Sequence, residues 1–219
     1  MPGPRYKGRY NIPITKIQPW SDVLMRFEMP ESMLECMRNV VEKTLGNPNS
    51  ENYNDLLVGQ MDIERGISES SIPSECLNGL YECFDTYIQE CEKQLWPLEW
   101  SNRGKNNIEI TMMWVNVQRE NEYIPMHMHN NCNLSAVMYL GMPEEMLPSR
   151  KDWERSDGNI EFIGGMNTWG RNLTKSTFRT LPRVSDLYVF PSHMGHTAYP
   201  FRGKGNRISV SMNISYTKE

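Results

Sequence analysis

The sequence predicts a mainly β protein preceded by helices, an antiparallel sandwich or barrel with a helical layer covering the outside of one sheet. Three observations predict it. Before Gly104, apolar residues recur at helical spacing. After Gly104, the pattern changes to short alternating runs rich in β-branched and aromatic residues. Those runs are separated by Gly, Pro and Asn turns rather than by further helices. At 219 residues the chain reads as one domain, with 1–104 as a helical front and packing layer and 105–219 as the β core.

The first helix is expected to open at Ser32–Glu35, a Ser-x-x-Glu capping box in which the hydroxyl and the carboxylate satisfy free N–H groups. Met33, Met37, Val40, Val41 and Leu45 form its apolar stripe, and Gly46 with Pro48 beyond ends it. A second helix is expected from about Pro73 to Leu95, with Leu77, Leu80, Phe84, Ile88, Cys91 and Leu95 inward and Pro97 as the stop. Between them, 47–71 is polar, with 56–61 as its only apolar patch. Strands are expected at Ile108–Val117, Ile124–His129, Leu134–Leu140, Asn159–Ile163, Leu187–Phe190 and Arg207–Tyr216. The span Gly141–Pro182 holds long polar loops, which in a compact domain are lids or binding loops.

A formal net charge of -4 without a basic run leaves no footprint for nucleic acid. No apolar stretch is long enough to span a bilayer, and the N-terminus has no apolar signal core, so a soluble, intracellular protein is expected. The five cysteines are odd in number and lack CxxC spacing; Cys76, Cys83 and Cys91 fall on the apolar face of the second helix. Reduced, buried cysteines are the expectation.

Chemistry concentrates in the four histidines, His127, His129, His193 and His196. On an extended segment His127 and His129 project from one face, because strand side chains alternate. Two such imidazoles can reach one metal ion. A third ligand from a distant strand would leave open positions opposite, the arrangement a non-haem iron oxygenase needs. Alone, His-x-His also describes ordinary surface histidines. A second cluster, His193 and His196, follows an apolar strand, and Arg207 comes eleven residues after His196. Pro191 and Gly195 argue for a strand end and turn there, which makes His193 a rim residue.

The last strand carries Arg207, Ser209, Ser211 and Asn213 on one face and Ile208, Val210, Met212 and Ile214 on the other. That is the alternation of any half-solvated strand. A single cation followed by small hydroxyls also suits a carboxylate held inside a barrel, since a guanidinium fork binds carboxylates in a bidentate manner.

Taken together, Trp114 and Asn116, His127 and His129, 134–140, 159–162, Phe190 through His196, and 207–213 resemble the 2-oxoglutarate/iron(II) oxygenase superfamily. The likeness is to a branch common in bacteria and tailed phages, distantly related to prolyl hydroxylases, and spans about Ile108 to Tyr216. It implies a double-stranded β-helix of jelly-roll or cupin type. It also implies Fe(II) bound by His127, His129 and His196, with 2-oxoglutarate held through Arg207, Ser209 and Tyr139, the last of which reads equally well as an aromatic core residue. His129 departs from the family pattern, where Asp or Glu is usual. A neutral imidazole there makes iron(II) plus the 2-oxoglutarate dianion sum to zero, and Glu161 is the alternative carboxylate ligand. Trp114 and Asn116 are expected to support the barrel wall. Asn130, Asn131 and Asn133 could orient a ligand histidine, although such clusters more often just make turns.

The resemblance implies a dioxygenase that uses 2-oxoglutarate and O2 to hydroxylate an organic or peptidyl substrate, releasing succinate and CO2. Two other readings remain at this point. One is a non-catalytic jelly-roll binding or structural module; the other is a three-histidine cupin-like metalloenzyme without 2-oxoglutarate. Arg207 separates them, because neither needs a buried cation for a dicarboxylate.

Overall fold

A computed structural model describes residues 22–95, 104–148, 156–164 and 177–219. Its elements in chain order are β1 (Met25–Glu28), α1 (Glu31–Gly46), β2 (Glu64–Gly66), a 3-10 turn (Glu69–Ser71), α2 (Ser74–Leu95), β3 (Asn106–Gln118), β4 (Ile124–His127), β5 (Leu134–Gly141), β6 (Glu145–Met146), β7 (Ile160–Ile163), β8 (Thr177–Thr180), β9 (Asp186–Pro191), β10 (Gly195–Ala198), β11 (Gly203–Lys204) and β12 (Arg207–Lys218).

α1 does not use the expected capping box. It begins one residue earlier, with Pro30 at the cap position and no side-chain cap bond. The Pro30 carbonyl accepts from the Met33 and Leu34 amides at 2.9 and 3.2 Å. Ser32 is therefore already helical and cannot cap. Met33, Met37, Val40 and Val41 are buried as the spacing predicts, while Leu45 is exposed near the frayed end. α2 buries Cys76, Leu80, Phe84, Tyr87 and Ile88, and Leu95 is exposed. Pro97, its expected stop, lies outside the described residues. All five cysteines are free thiols.

The large sheet has the order β1-β9-β5-β12-β3-β2, and the small one β4-β10-β7-β8; a two-stranded piece, β11-β6, completes the set. All their ladders are antiparallel. β12 lies between β3 and β5, so its two faces are covered by different layers. Val210, Met212 and Ile214 join Val115, Met138 and Val189 against Met37, Leu80 and Phe84 of the helices. This is the helical layer on one sheet that the alternation predicts. The opposite face of the large sheet meets the small sheet through a second cluster, in which Val137, Tyr139, Tyr188 and Phe190 pack with Ile160 and Phe162. Phe162 lies 5.0 Å from Phe190 and 5.5 Å from Tyr188 between ring centroids, and these aromatic contacts close one part of the space between the sheets.

All six expected strands form, with shifted ends. β4 stops at His127, two residues short of the predicted end. The short strands β1, β2, β6, β8, β10 and β11 were not predicted. Runs of two to four residues are too brief to display a period, and long-range pairing makes them strands. Among the described residues of 141–182, β6, β7 and β8 replace part of the expected loop.

Candidate metal and dicarboxylate site

The face of β12 that carries Arg207, Ser209, Ser211 and Asn213 lines a cavity of about 390 Å³, together with Trp114, Asn116 and Gln118 of β3. That volume is in the range of small-molecule sites. His127, His129, His196, Tyr139, Arg207 and Ser209 all line it. The two predicted histidine clusters thus meet in one place.

The convergence comes from strand pairing. β10 sets His196 directly opposite His127 of β4. His129 lies past the end of β4, but its amide donates to the Ser192 carbonyl at 2.9 Å, which keeps that segment beside the turn leading to His196. The candidate ligand nitrogens of His127, His129 and His196 all lie within 4.8 Å of one another. His129 Nε2 is 3.2 Å from His196 Nε2.

Two of the tautomers follow from the hydrogen bonds. His127 Nδ1 is 2.9 Å from the Pro125 carbonyl, and His196 Nδ1 is 2.9 Å from the Met194 carbonyl. A carbonyl only accepts, so each Nδ1 carries the proton and each Nε2 presents a lone pair. Burial, reinforced by the His127 charge, lowers the pKa of His196 to about 3. The same causes lower His129 to about 4, and burial lowers His127. The rings are therefore neutral near pH 7. Neutral imidazoles converging their nitrogens on one point fit a transition-metal cation, and imidazole donors suit iron(II).

Glu161 is not part of this group. Phe162, its neighbour on β7, pairs with His196 and packs inward, so Glu161 projects to the other face. There it accepts from Tyr199 Oη at 2.5 Å and pairs with Arg179 at 3.1 Å. The expectation that it could replace His129 is corrected by this orientation. Of the two readings of the asparagine cluster, the turn is the one seen at Asn131. Asn133 accepts from the Tyr216 amide and Asn131 has a left-handed φ of 60°, while the backbone carbonyls of Pro125 and Met194 orient two of the histidines. His193 is exposed, 3.1 Å from Asp22, and stands outside the cluster as expected of a rim residue.

Trp114 does more than support the wall. Its ring centroid is 5.8 Å from that of His129, and its indole N–H donates to Asn116 Oδ1 at 3.0 Å. Asn116 in turn donates to Ser211 Oγ at 2.9 Å. This chain of bonds fixes the surface behind His129.

Arg207 is 2% exposed. Its guanidinium donates to the Gly158 carbonyl at 2.6 Å and to Gln118 Oε1. No carboxylate pairs with it among the described residues, and burial lowers its pKa. A fully buried cation held only by neutral acceptors, beside a cavity, fits an anionic ligand group. Tyr139 faces Ser209 across the β5–β12 ladder, and burial pushes its phenol up to about 12, so it remains a hydrogen-bond donor at neutral pH. Gln118 was missed by sequence reasoning, although it continues the inward series Trp114, Asn116. The apolar patch at 56–61 was noticed without a role; Leu56, Leu57, Val58 and Gly59 line the cavity.

Fold and site together define a jelly-roll barrel built to hold a metal ion and a carboxylate ligand. Residues 112–213, a little under half of the chain, match the protein family described as "Putative 2OG-Fe(II) oxygenase". The fold is similar to a Pseudomonas putida prolyl-4-hydroxylase, at 11% identity over 90% of this chain and 92% of that one, with a TM-score of 0.54. It is also similar to the viral collagen prolyl hydroxylase of Paramecium bursaria Chlorella virus-1 in its 2-oxoglutarate complex, at 13% identity over 87% and 94%, with a TM-score of 0.51. A third similar fold is SnoN, an α-ketoglutarate-dependent epimerase from nogalamycin biosynthesis, at 12% identity over 90% and 79%, with a TM-score of 0.54. No curated protein matches the sequence detectably. The match over 112–213 and the shared fold make the chain similar to the 2-oxoglutarate/iron(II)-dependent oxygenases, prolyl hydroxylases among them. The three imidazoles fit an iron(II) ion, and the buried guanidinium fits a dicarboxylate such as 2-oxoglutarate. Among the described residues, no helix is long and apolar enough to cross a membrane.

Proposed function

We propose that this protein is a 2-oxoglutarate- and iron(II)-dependent dioxygenase that hydroxylates a C–H group of a peptide or protein. In the overall reaction one oxygen atom enters the substrate and the other enters succinate, while 2-oxoglutarate loses CO2. His127, His129 and His196 hold the iron, which supplies oxygen activation when bound. Arg207 and Ser209 hold the distal carboxylate of 2-oxoglutarate, and the Tyr139 phenol donates to the same end. Trp114, Asn116 and Ser211 keep His129 in place and exclude water behind it.

The observation that carries this reading is the meeting, around one cavity, of three neutral imidazoles with a buried guanidinium that has no carboxylate partner among the described residues. A lapsed jelly roll gains nothing from that cation, whose burial is costly without an anion. The choice of a peptidyl substrate draws on the prolyl hydroxylases among the similar folds. SnoN is the reason the reaction type needs its own test.

The test combines the purified chain with iron(II) and 2-oxoglutarate without oxygen. A weak visible metal-to-ligand charge-transfer band is expected, followed by succinate on admission of air. Absence of both would overturn the reading.

A further inference from the structure

Glu64 lies on β2, directly opposite Asn116 of β3. Partners in an antiparallel ladder share a face. Asn116 faces the cavity, so Glu64 does as well, and it forms part of the cavity wall. The residue is 1% exposed, and its Oε2 has no hydrogen-bond partner among the described residues. Gly59 closes over the carboxyl group. A Cβ at that position would stand 2.6 Å from Glu64 Oε1, so the 56–59 segment reaches the carboxyl only because residue 59 has no side chain.

A buried carboxyl oxygen with no partner is costly and calls for a ligand. Among the described residues lining the cavity, Glu64 is the sole carboxylate and Arg207 the sole guanidinium or ammonium. The two charges have separate duties. Arg207 serves the cosubstrate, and no step above uses Glu64. Burial, with added negative potential from the nearby Glu122, raises the Glu64 pKa to about 7. A cation relieves that potential; a neutral donor does not. The wall on this side is apolar and open, with Leu56, Val58 and Met128 exposed at 67%, 46% and 57%.

We infer that Glu64 is a substrate-recognition residue, receiving an ammonium or guanidinium group at the end of an aliphatic chain that lies along Leu56, Val58 and Met128. Calling the ligand a substrate rests on the oxygenase reading. The binding itself needs neither iron nor 2-oxoglutarate, so the two ideas fail separately.

The experiment is calorimetry on the full chain, free of metal and 2-oxoglutarate, at pH 8. The probes are n-butylammonium, n-propylguanidinium and, as neutral control, 1-butanol. Both cations should bind at least about tenfold more tightly than the alcohol, as one compensated buried charge implies. Glu64→Gln should abolish that preference. Gly59→Ala retains the charge but crowds the carboxyl, and should weaken cation binding if Glu64→Gln fails to fold. Nα-acetyl-lysine N-methylamide against 1,4-diaminobutane distinguishes a peptidyl source from a free amine, and tight binding of either supports the inference. Equal binding of n-butylammonium and 1-butanol, or a preference that survives Glu64→Gln, would overturn it. The charge-transfer band of the wild-type protein, measured separately, reports on the oxygenase reading alone.

Discussion

His127 and His196 face each other across the β4–β10 ladder with ring centroids 4.2 Å apart, although β4 and β10 are far apart in the chain. Each ring is aimed by a carbonyl two residues before it, Pro125 for His127 and Met194 for His196. The orientation of these two candidate ligands is thus a property of local backbone.

Replacing either of this pair should remove metal binding without unfolding the protein. His196→Ala is expected to weaken iron(II) binding by at least about 100-fold, since even outer-shell changes cost 10–100-fold. Anaerobic metal titration with circular dichroism as the fold control checks this. Wild-type iron affinity in His196→Ala would exclude it as a ligand.

Arg207→Ala should weaken 2-oxoglutarate binding by about 100-fold, and Arg207→Lys by about tenfold, because an ammonium cannot reproduce the guanidinium fork. Iron affinity measured without cosubstrate should not change. Equal losses of both ligands would mean that Arg207 has a structural role only.

His129→Asp tests the departure from the family pattern. Iron should still bind, but the added negative charge should lower 2-oxoglutarate affinity by a factor on the order of 3–10. Titration of the charge-transfer band gives the value. Tighter cosubstrate binding in this variant would exclude the charge argument.

Glu64 makes stability depend on pH. Its pKa is about 7 in the folded protein against an ordinary value of 4.5, so between those values the folded state holds the extra proton. Stability from this group therefore falls as pH rises through that window, and the full cost is present above pH 7. Glu64→Gln should match wild type near pH 4 and be more stable at pH 8 by on the order of 2 kcal/mol, allowing for partial screening by solvent. Urea unfolding midpoints at the two pH values decide it.

The sequence made the helical layer, the central strands and the candidate site legible because each leaves a local trace. Val210, Met212 and Ile214 alternate with Arg207, Ser209, Ser211 and Asn213, and the structure places the two series on opposite faces. The scarcity of histidine pointed to His127, His129 and His196. What escaped was set by pairing at long range. β10 is four residues long and becomes a strand because β4 and β7 flank it. Glu64 sits in a three-residue strand after a polar stretch, and nothing near it in sequence marks it as buried. Glu161 was misassigned because a carboxylate on a strand has even odds of facing either way until its neighbour, Phe162, is placed. The capping box at Ser32 failed because Pro30 started the helix first.

β12 is hydrogen-bonded along its length to β3 on one side and through much of it to β5 on the other, whereas β4 meets β10 at only two registered positions with an irregularity between them. Amide hydrogens at Ser209 and Val210 should therefore exchange only when the whole molecule opens, and those around His127 and His196 much sooner. The cation that would grip the cosubstrate belongs to a long strand paired on both sides, whereas His127 belongs to a short strand held at two registered positions. Iron should accordingly enter and leave through local breathing of the small sheet, while the shape of the dicarboxylate pocket persists.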